Sequence, residues 1–319
     1  MRLEYGRSKS ITGSRNAPWT PCGDALGRPV EFRPPYQIER THGRVTEMLA
    51  DGTHGQPAGT ITDDTEMALC IARSLDEHGT FEPADIAERF VTWKASGPFD
   101  IGMMTSSALH RIQNGVSWDD AGHREWELCR EGKNAGNGSL MRCAPYVIAF
   151  RNAPEQLVRV SRRSSSITHA DSRCQWSCAL FNRTLANLLN GIERPLERVI
   201  ADLETELPDD VRDAVAPVVD YLRDGRTNFE LANSGYVVTT LQAGLYHGLT
   251  ADSAEEAIVD AVMMGGDADT IGAVAGAIPG ARFGVEALPD RWTETLSARS
   301  ELESLGLQLL EIDPHSSGE

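Results

Sequence analysis

The segment 265–280 constrains the fold of this chain more than any other stretch. Gly272, Gly276 and Gly280 lie four residues apart, and alanines fill half of the positions between them. On a helix this spacing makes a flat stripe of nearly bare backbone, against which a second helix can pack closely. The preceding residues 253–264 carry a capping box and an apolar periodicity, and a Gly-Gly pair ends that helix. The sequence therefore predicts two helices joined by a glycine turn, the second of them deeply packed.

Polar groups are concentrated at the start of that second helix, at Asp267, Asp269 and Thr270. A single acid there would be explained as an N-cap. Two carboxylates and a hydroxyl are explained less well, because buried carboxylates are costly unless a proton, a cation or a metal neutralises them. No Lys or Arg occurs between residues 260 and 280. We therefore predict that a metal ion binds at this turn.

A similar cluster, Thr62-Asp63-Asp64, opens a helix whose apolar stripe ends near Gly79. If the two helix starts converge, they supply four carboxylates and two hydroxyls, and such oxygen-only sets favour Mg²⁺ or Mn²⁺ over zinc. Four carboxylates exceed the need of one ion, so the pattern predicts two ions about 3.5–4 Å apart. The alternative is a pair of unrelated N-caps. The predicted metal ligands are Thr62, Asp63, Asp64, Asp267, Asp269 and Thr270.

Three loops carry polar groups in patterns that suit a ligand. The loop 136–142 offers backbone N–H groups, a hydroxyl and the guanidinium of Arg142, which together suit phosphate, although a tight turn with Ser139 as N-cap would use the same residues. His169 precedes an acid and a helix, a position that a structural histidine also occupies. Asp100 lies in a short loop bounded by Pro and Gly and adds a further carboxylate.

Apolar periodicity elsewhere predicts helices and almost no strand, so the fold class is all-α, a compact single-domain helical bundle. We divide the chain into a polar N-terminal arm at 1–21, a domain at 22–312 and a tail at 313–319. Residues 36–59 lack periodicity and predict a long loop with a strand-like piece near Val45. Further helices are predicted at 83–94, 103–114, 118–131, 154–163, 173–190, 209–223, 237–248 and 289–310.

The charge balance narrows the range of partners. With 47 acidic against 30 basic residues the net charge is −17, which disfavours nucleic-acid backbones and anionic membranes as binding partners. No apolar leader opens the chain, and no run approaches about 18 apolar residues. The six cysteines lack metal-binding spacing and are expected to be reduced thiols. We expect a cytoplasmic monomer.

Six short motifs follow one another along residues 22–284. They are Gly23-Asp24-Ala25-Leu26-Gly27 with Glu31-Phe32, Thr62-Asp63-Asp64-Thr65, Phe99-Asp100-Ile101-Gly102, Gly136-Asn137-Gly138-Ser139 with Met141-Arg142, Thr168-His169, and Gly266-Asp267-Ala268-Asp269-Thr270-Ile271-Gly272. Each motif alone is ordinary. In this order they resemble the ADP-ribosylglycohydrolases, a family that includes the dinitrogenase reductase-activating glycohydrolases.

The resemblance implies a compact all-α fold with a binuclear Mg²⁺ or Mn²⁺ centre that uses the six ligands predicted above. It implies a hydrolase that cleaves the bond between ribose C1″ and a modified side chain and releases ADP-ribose. An ADP-ribosylated protein is then the partner, with N-linked arginine as the expected substrate and O-linked ADP-ribose as an alternative. Glu31 matches an acid beside the metals that acts as base or gate, and Asp100 is the second choice for the base. The residues that match the ADP-ribose site are Asn137, Gly138, Ser139, Met141, Arg142 and His169.

Two positions depart from the family pattern. Members enter the first motif from an apolar helix, whereas Pro18 and Pro21 exclude a regular helix here, so another element is expected to cover that side of the core. Ile61 stands where many members carry Trp. The first departure motivates an alternative, a non-catalytic ADP-ribose-binding or partner-blocking relative, which metal-dependent release of ADP-ribose would exclude. An enzyme acting on prenyl diphosphate ranks last, because its sites usually need an aspartate where Met67 stands.

Overall fold

The computed structural model describes residues 21–130, 132–225 and 229–313. Over these residues the chain forms sixteen α-helices, and its β-type pairing is limited to the isolated bridges Asp51–Gln56 and Gly136–Tyr236. The predicted all-α fold class is therefore confirmed. In chain order the helices are α1 (Pro21–Gly27), α2 (Pro35–His42), α3 (Asp63–His78), α4 (Pro83–Ala95), α5 (Met103–Gln113), α6 (Trp118–Leu128), α7 (Pro145–Phe150), α8 (Pro154–Ser166), α9 (Ser172–Leu189), α10 (Pro195–Asp202), α11 (Asp209–Asp224), α12 (Val237–Thr250), α13 (Ala254–Val262), α14 (Ala268–Phe283), α15 (Asp290–Thr295) and α16 (Arg299–Leu310).

The glycine-rich helix α14 lies at the centre of the fold, and every residue from 268 to 281 is buried, as the sequence predicted. Helices α1, α12 and α13 pack directly against it. The approach is very close where α1 meets α14, because a Cβ added to Gly23 would lie 2.0 Å from the carbonyl oxygen of Gly272. On the other side, a Cβ added to Gly244 of α12 would lie 2.5 Å from Val274 Cγ1. Glycine is required at both crossings, since real Cβ atoms do not approach neighbours this closely.

Four helices that the sequence analysis did not predict begin at a proline, namely α1, α2, α7 and α10. Proline breaks a helix interior but suits the first turn, where the N–H group has no intrahelical partner. Pro21 is the first residue of α1, so the helix that carries the first motif begins at this proline, and the predicted break over residues 15–20 lies outside the described residues. Residues 1–20 and 314–319 lie outside the described residues, so the arm and the tail stay predictions.

Two further predictions are wrong, while the other predicted helices are observed within three residues at each end. The segment 289–310 forms two helices rather than one, and between them the Ser297 N–H donates to the Gly59 carbonyl. The predicted loop at 36–59 is shorter than expected, because α2 occupies residues 36–42, and no strand occurs near Val45 in the described structure. Its side chain is buried and its N–H donates to Met263 Sδ at 3.4 Å. In both places a contact distant in sequence replaces the local pattern.

Arg28 holds the long segment between α2 and α3. Its side chain is completely buried, so its guanidinium needs acceptors and the irregular backbone around it needs donors. The guanidinium donates hydrogen bonds of 2.9–3.3 Å to five backbone carbonyls of this segment, those of Leu49, Asp51, Gln56, Pro57 and Thr60. One side chain thus supplies the hydrogen bonds that a strand ladder would supply, and it places the turn Gly52–His54 against the end of α1.

None of the helices in the described ranges has both the length and the apolar character needed to cross a membrane. All six cysteines fall within these ranges and are free thiols, in agreement with the prediction. Five of them are buried and Cys129 is half-buried.

Gly23→Ala tests the close packing of α1 on α14. We expect the free energy of unfolding to fall by about 3 kcal/mol, at the upper end of overpacking costs, because the clashing atom is a backbone oxygen that cannot move aside. The measurement is urea unfolding in EDTA. Gly102→Ala is the control, since its added Cβ would meet nothing nearer than Thr105 Oγ1 at 3.9 Å, and it should stay within about 0.5 kcal/mol of wild type. Equal effects of the two variants would contradict the packing.

Candidate metal centre and active site

The starts of α3 and α14 meet in the structure, although the residues that join them are 206 positions apart in the chain. Thr270 Oγ1 donates a hydrogen bond to Asp64 Oδ1 at 3.2 Å. Asp267 is half-buried and the other five predicted ligands are buried. The convergence on which the sequence argument depended is therefore present, and two unrelated N-caps are not what the fold contains.

Asp24 on α1 fixes the start of α3. Its fully buried carboxylate accepts hydrogen bonds from the backbone N–H of Thr62 at 3.0 Å and of Thr65 at 3.2 Å, and from Thr65 Oγ1 at 2.5 Å. Thr62 in turn caps α3, its Oγ1 accepting from the Asp64 N–H. Because hydrogen bonds to an ionised acceptor are strong, Asp24 holds the turn that carries Asp63 and Asp64.

The other acids of the cluster are each held by one neighbour. Asp63 Oδ2 accepts from the backbone N–H of Gly102 at 3.3 Å, which ties α3 to the start of α5. Asp269 Oδ1 accepts from the N–H of Thr270 at 2.9 Å. Asp267 Oδ2 accepts from Asn137 Nδ2 at 2.5 Å. The helix starts and the 136–142 loop therefore share one polar cluster.

The carboxyl groups of this cluster all have raised pKa values. Burial is the largest cause in each case, because it disfavours the charged form. Burial raises the pKa of Asp24 to about 6, and burial together with the nearby charge of Asp100 raises the pKa of Asp63 to about 8 and of Glu31 to about 9. Burial and neighbouring carboxylates also hold the pKa values of Asp64 and Asp269 well above their usual range. The cluster is therefore unfavourable as a set of anions alone.

A divalent cation fits these residues. Among the described residues Asp64 Oδ2 is buried and has no hydrogen-bond partner, a state that costs free energy unless a donor or cation satisfies the oxygen. Carboxylate oxygens of Glu31, Asp267 and Asp269 all lie within 4.8 Å of one another. Such a set of hard oxygen ligands suits Mg²⁺ or Mn²⁺.

His54 is a site residue that the sequence analysis missed. Its Nε2 lies 2.5 Å from Glu31 Oε2, in a shared hydrogen bond, and 3.8 Å from Asp100 Oδ2. Thr53 Oγ1 also donates a hydrogen bond to the Glu31 carbonyl at 2.7 Å. The turn held by Arg28 therefore contacts both the backbone and the side chain of Glu31. The segment lacks periodicity, and only its richness in Gly and His offered a signal.

The residue after Glu31 has a strained backbone. Phe32 has a φ of 62°, in the left-handed region that a bulky side chain rarely adopts. Its N–H donates to the Gly266 carbonyl at 2.6 Å, and the Gly266 N–H donates to the Arg33 carbonyl at 2.9 Å. Gly266 itself has a φ of 63°, which glycine adopts without strain. This backbone pair pins Glu31 beside the start of α14.

Some of the predicted ADP-ribose-binding residues lie at the acidic cluster, and the others lie at the His169 ring or in the core. Asn137 reaches the acidic cluster through Asp267, and Met141 lines a small cavity together with Asp64 and Pro21. Gly138 packs on His169, since an added Cβ would lie 2.9 Å from Cε1 of that ring. Ser139 is buried, and its Oγ accepts from Ser165 Oγ at 2.9 Å, away from the carboxylates.

Arg142 does not face the site as a free cation. Its side chain is buried, its guanidinium lies 4.5 Å from the centroid of the Phe90 ring, and its Nη2 donates to Thr168 Oγ1 at 2.7 Å. The sequence analysis predicted that this guanidinium suits phosphate. Because it packs on Phe90 in the core, it is not available to a phosphate as a free cation. Thr168 Oγ1 lies 2.8 Å from His169 Nδ1. Burial and the nearby Arg142 charge lower the pKa of His169 to about 3, so the imidazole is neutral at physiological pH.

Comparison with known proteins gives a consistent result. The family model described as ADP-ribosylglycohydrolase matches residues 20–317. The ADP-ribosyl-(dinitrogen reductase) glycohydrolase of Rhodospirillum rubrum is 32% identical over 282 residues, which cover 88% of this chain and 88% of that protein. The ADP-ribosylarginine hydrolase Tri1 of Pseudomonas putida (strain GB-1) is 31% identical over 300 residues, which cover 92% of this chain and 76% of that protein. A solved structure described as an ADP-ribosylglycohydrolase-related protein complex superposes with a TM-score of 0.75 at 33% identity, covering 92% of this chain and 94% of that one.

The raised carboxyl pKa values predict an unusual pH dependence of stability in EDTA. Asp63 and Glu31 titrate at about 8 and 9 in the folded protein, far above their ordinary values near 4, so the folded state binds more protons than the unfolded state between these limits. We expect the thermal unfolding midpoint to fall as the pH rises from roughly 6 to 9. Asp63→Asn should reduce this fall, whereas Asp252→Asn on an exposed loop should not. A midpoint that rises over this range would contradict the electrostatic analysis.

Proposed function

The chain belongs to the ADP-ribosylglycohydrolase family, and we propose that it removes ADP-ribose from the guanidinium group of a modified arginine on a protein, with divalent cations bound in the acidic cluster. Family membership makes it a glycosidic-bond hydrolase that releases ADP-ribose from a substrate. The observation that carries the proposal is the buried, unpartnered Asp64 Oδ2 within a converged set of carboxylates. Such an oxygen calls for a cation in the working protein.

We assign the cations to the two helix starts. Bound there, two Mg²⁺ or Mn²⁺ ions would supply positive charge that neutralises the carboxylates and polarises the ribose hydroxyls or the water of the reaction. The chain's own contribution is to hold the ligand oxygens in place, through Asp24 on one side and Asn137 on the other. The proposed ligands are Thr62, Asp63, Asp64, Asp267, Asp269 and Thr270.

The arginine linkage is supported by two relatives and by charge. The two relatives are named as a glycohydrolase of ADP-ribosyl-(dinitrogen reductase) and a hydrolase of ADP-ribosylarginine. The site is rich in carboxylates, and among the described residues the ion pairs of Glu31 and Asp100 are with His54 rather than with Lys or Arg. A cationic side chain of the substrate would therefore be attracted to this site.

We propose Glu31 as the general base. Its carboxylate lies in the same group of oxygens as Asp267 and Asp269, and His54 holds it through a hydrogen bond. In its ionised form, which cations bound nearby would favour against the raised pKa, Glu31 would accept the proton of the attacking water or ribose hydroxyl as that oxygen bonds to C1″. The bond from C1″ to the arginine nitrogen breaks with its electron pair on nitrogen, and the proton passes from Glu31 to that nitrogen. Asp100 is the second candidate, because its Oδ2 lies 3.8 Å from the same His54 Nε2 and its side chain is 20% exposed.

The remaining residues bind and orient ADP-ribose in this proposal. Asn137, Gly138 and Met141 would line the site directly, since they lie nearest to the acidic cluster and to the His169 ring. Ser139 and the neutral His169 would shape the loop and present an uncharged ring. Arg142 becomes a positioning residue that acts through Thr168, because its guanidinium is held in the core.

Asp269→Ala tests the metal centre and the hydrolase activity together. We expect wild type to release ADP-ribose from an arginine-ADP-ribosylated protein only with Mg²⁺ or Mn²⁺, and the variant to lose at least about a hundredfold in rate, because a metal ligand is removed. Calorimetric titration with Mn²⁺ should show weakened binding in the same variant. Asp252→Ala on an exposed loop is the matched control. Undiminished release in EDTA would contradict metal dependence, and ADP-ribose binding without any release would favour the non-catalytic alternative.

Glu31→Gln and Asp100→Asn, compared with each other, test the choice of base. If Glu31 is the base, its amide variant should lose roughly 10²–10⁴-fold in kcat, because proton acceptance is removed while shape is kept. Asp100→Asn should then lose about tenfold or less in kcat. Single-turnover release of ADP-ribose measures both. The reverse order of losses would make Asp100 the base.

A further inference from the structure

Two exposed phenylalanines lie beside the acidic cluster, and the rings of both lie close to that of His54. The ring of His54 lies 6.3 Å from that of Phe32 and 5.3 Å from that of Phe99, measured between centroids. The two phenylalanines are 67% and 38% exposed. Each is preceded or followed in sequence by one of the candidate catalytic acids, Glu31 and Asp100. The two rings and the partly exposed Asp100 carboxylate are thus accessible to solvent next to the buried Glu31.

Two free-energy costs oppose the observed conformation of Phe32. Its backbone lies in the left-handed region, which is unfavourable for a residue other than glycine. Its ring also stays in water, although burying a phenylalanine is favourable. The hydrogen bond from the Phe32 N–H to the Gly266 carbonyl keeps this arrangement fixed. Strain that the surrounding structure maintains in this way is typical of ligand-binding sites.

The combination of ring faces and carboxylates selects one kind of ligand group. A guanidinium is planar and cationic, stacks on aromatic faces and forms hydrogen bonds with carboxylates. A serine hydroxyl is neutral and small, and it would use neither the rings nor the second acid. Because the rings flank the acids that we propose act at C1″, this place is where the group released from C1″ would lie.

We propose that Phe32, Phe99 and Asp100 form the subsite for the guanidinium of the modified arginine and give the enzyme its preference for the arginine linkage. This inference rests on the proposed function. It assigns to these residues recognition of the departing side chain, whereas the 136–142 loop and His169 serve the ADP-ribose that stays bound.

The test compares Phe99→Ala and Phe32→Ala with wild type on two substrates, an arginine-linked and a serine-linked ADP-ribosyl peptide, in the presence of Mg²⁺. For the arginine-linked peptide each variant should raise KM about tenfold, since the cation loses an aromatic face. Activity on the serine-linked peptide, where wild type shows any, and the Kd for free ADP-ribose should stay within about twofold. Phe99→Leu should behave as Phe99→Ala, because it restores apolar area but no ring.

Phe283→Ala is the matched control. Phe283 is 40% exposed, close to the 38% of Phe99. It lies at the far end of the 16-residue helix α14, about 24 Å from the start of that helix. It should leave every parameter unchanged. Equal losses on both linkages, or no loss on the arginine linkage, would overturn the subsite. Wild type that acts on the serine-linked peptide alone would overturn it while leaving the hydrolase intact, and wild type that releases no ADP-ribose from either would overturn the proposed function as well.

Discussion

The burial of several neighbouring carboxyl groups is the constraint on which the rest of this structure depends. Burial and neighbouring charges raise the pKa values of Asp63, Asp64 and Asp269, so the fold must hold these groups together against an unfavourable electrostatic term. The N-termini of α3 and α14 point at the cluster, and the partial positive charge of a helix start stabilises a nearby anion by about 0.3–1 kcal/mol. That contribution is too small to offset several buried anions, and divalent cations supply the missing charge in the function we propose.

Close helix packing gives the cluster its rigidity. Glycines at the crossing of α1 and α14 let the backbones approach, and Asp24 on α1 then reaches the first turn of α3. Close packing thereby joins α1 to α14, and the Asp24 carboxylate, which is not itself among the proposed metal ligands, joins α1 to α3. Since interiors pack at near-crystalline density, small shifts at this crossing would be transmitted to the ligand oxygens.

The two buried arginines Arg28 and Arg142 have different structural roles. Arg28 donates to five carbonyls and so gives shape to a segment without regular structure, which in turn delivers His54 to Glu31. Arg142 lies over the Phe90 ring and acts on His169 through Thr168. Neither guanidinium is free to neutralise the acidic cluster. The acids of the cluster therefore stay available to metal ions and to a cationic leaving group, either of which would favour their ionised forms.

The sequence by itself determined the helices with clear apolar periodicity, the central place of α14 and the two acid clusters, because period, capping and ligand chemistry are local properties. It did not reveal the helices that begin with proline, since the same residue marks a break or a first turn depending on what precedes it. Only the tertiary structure decided that His54 joins Glu31, that Arg142 turns into the core and that Phe32 faces solvent. Each of these depends on partners far away in the chain, namely Arg28 with its carbonyls, Phe90 and Gly266, and no local pattern records such contacts.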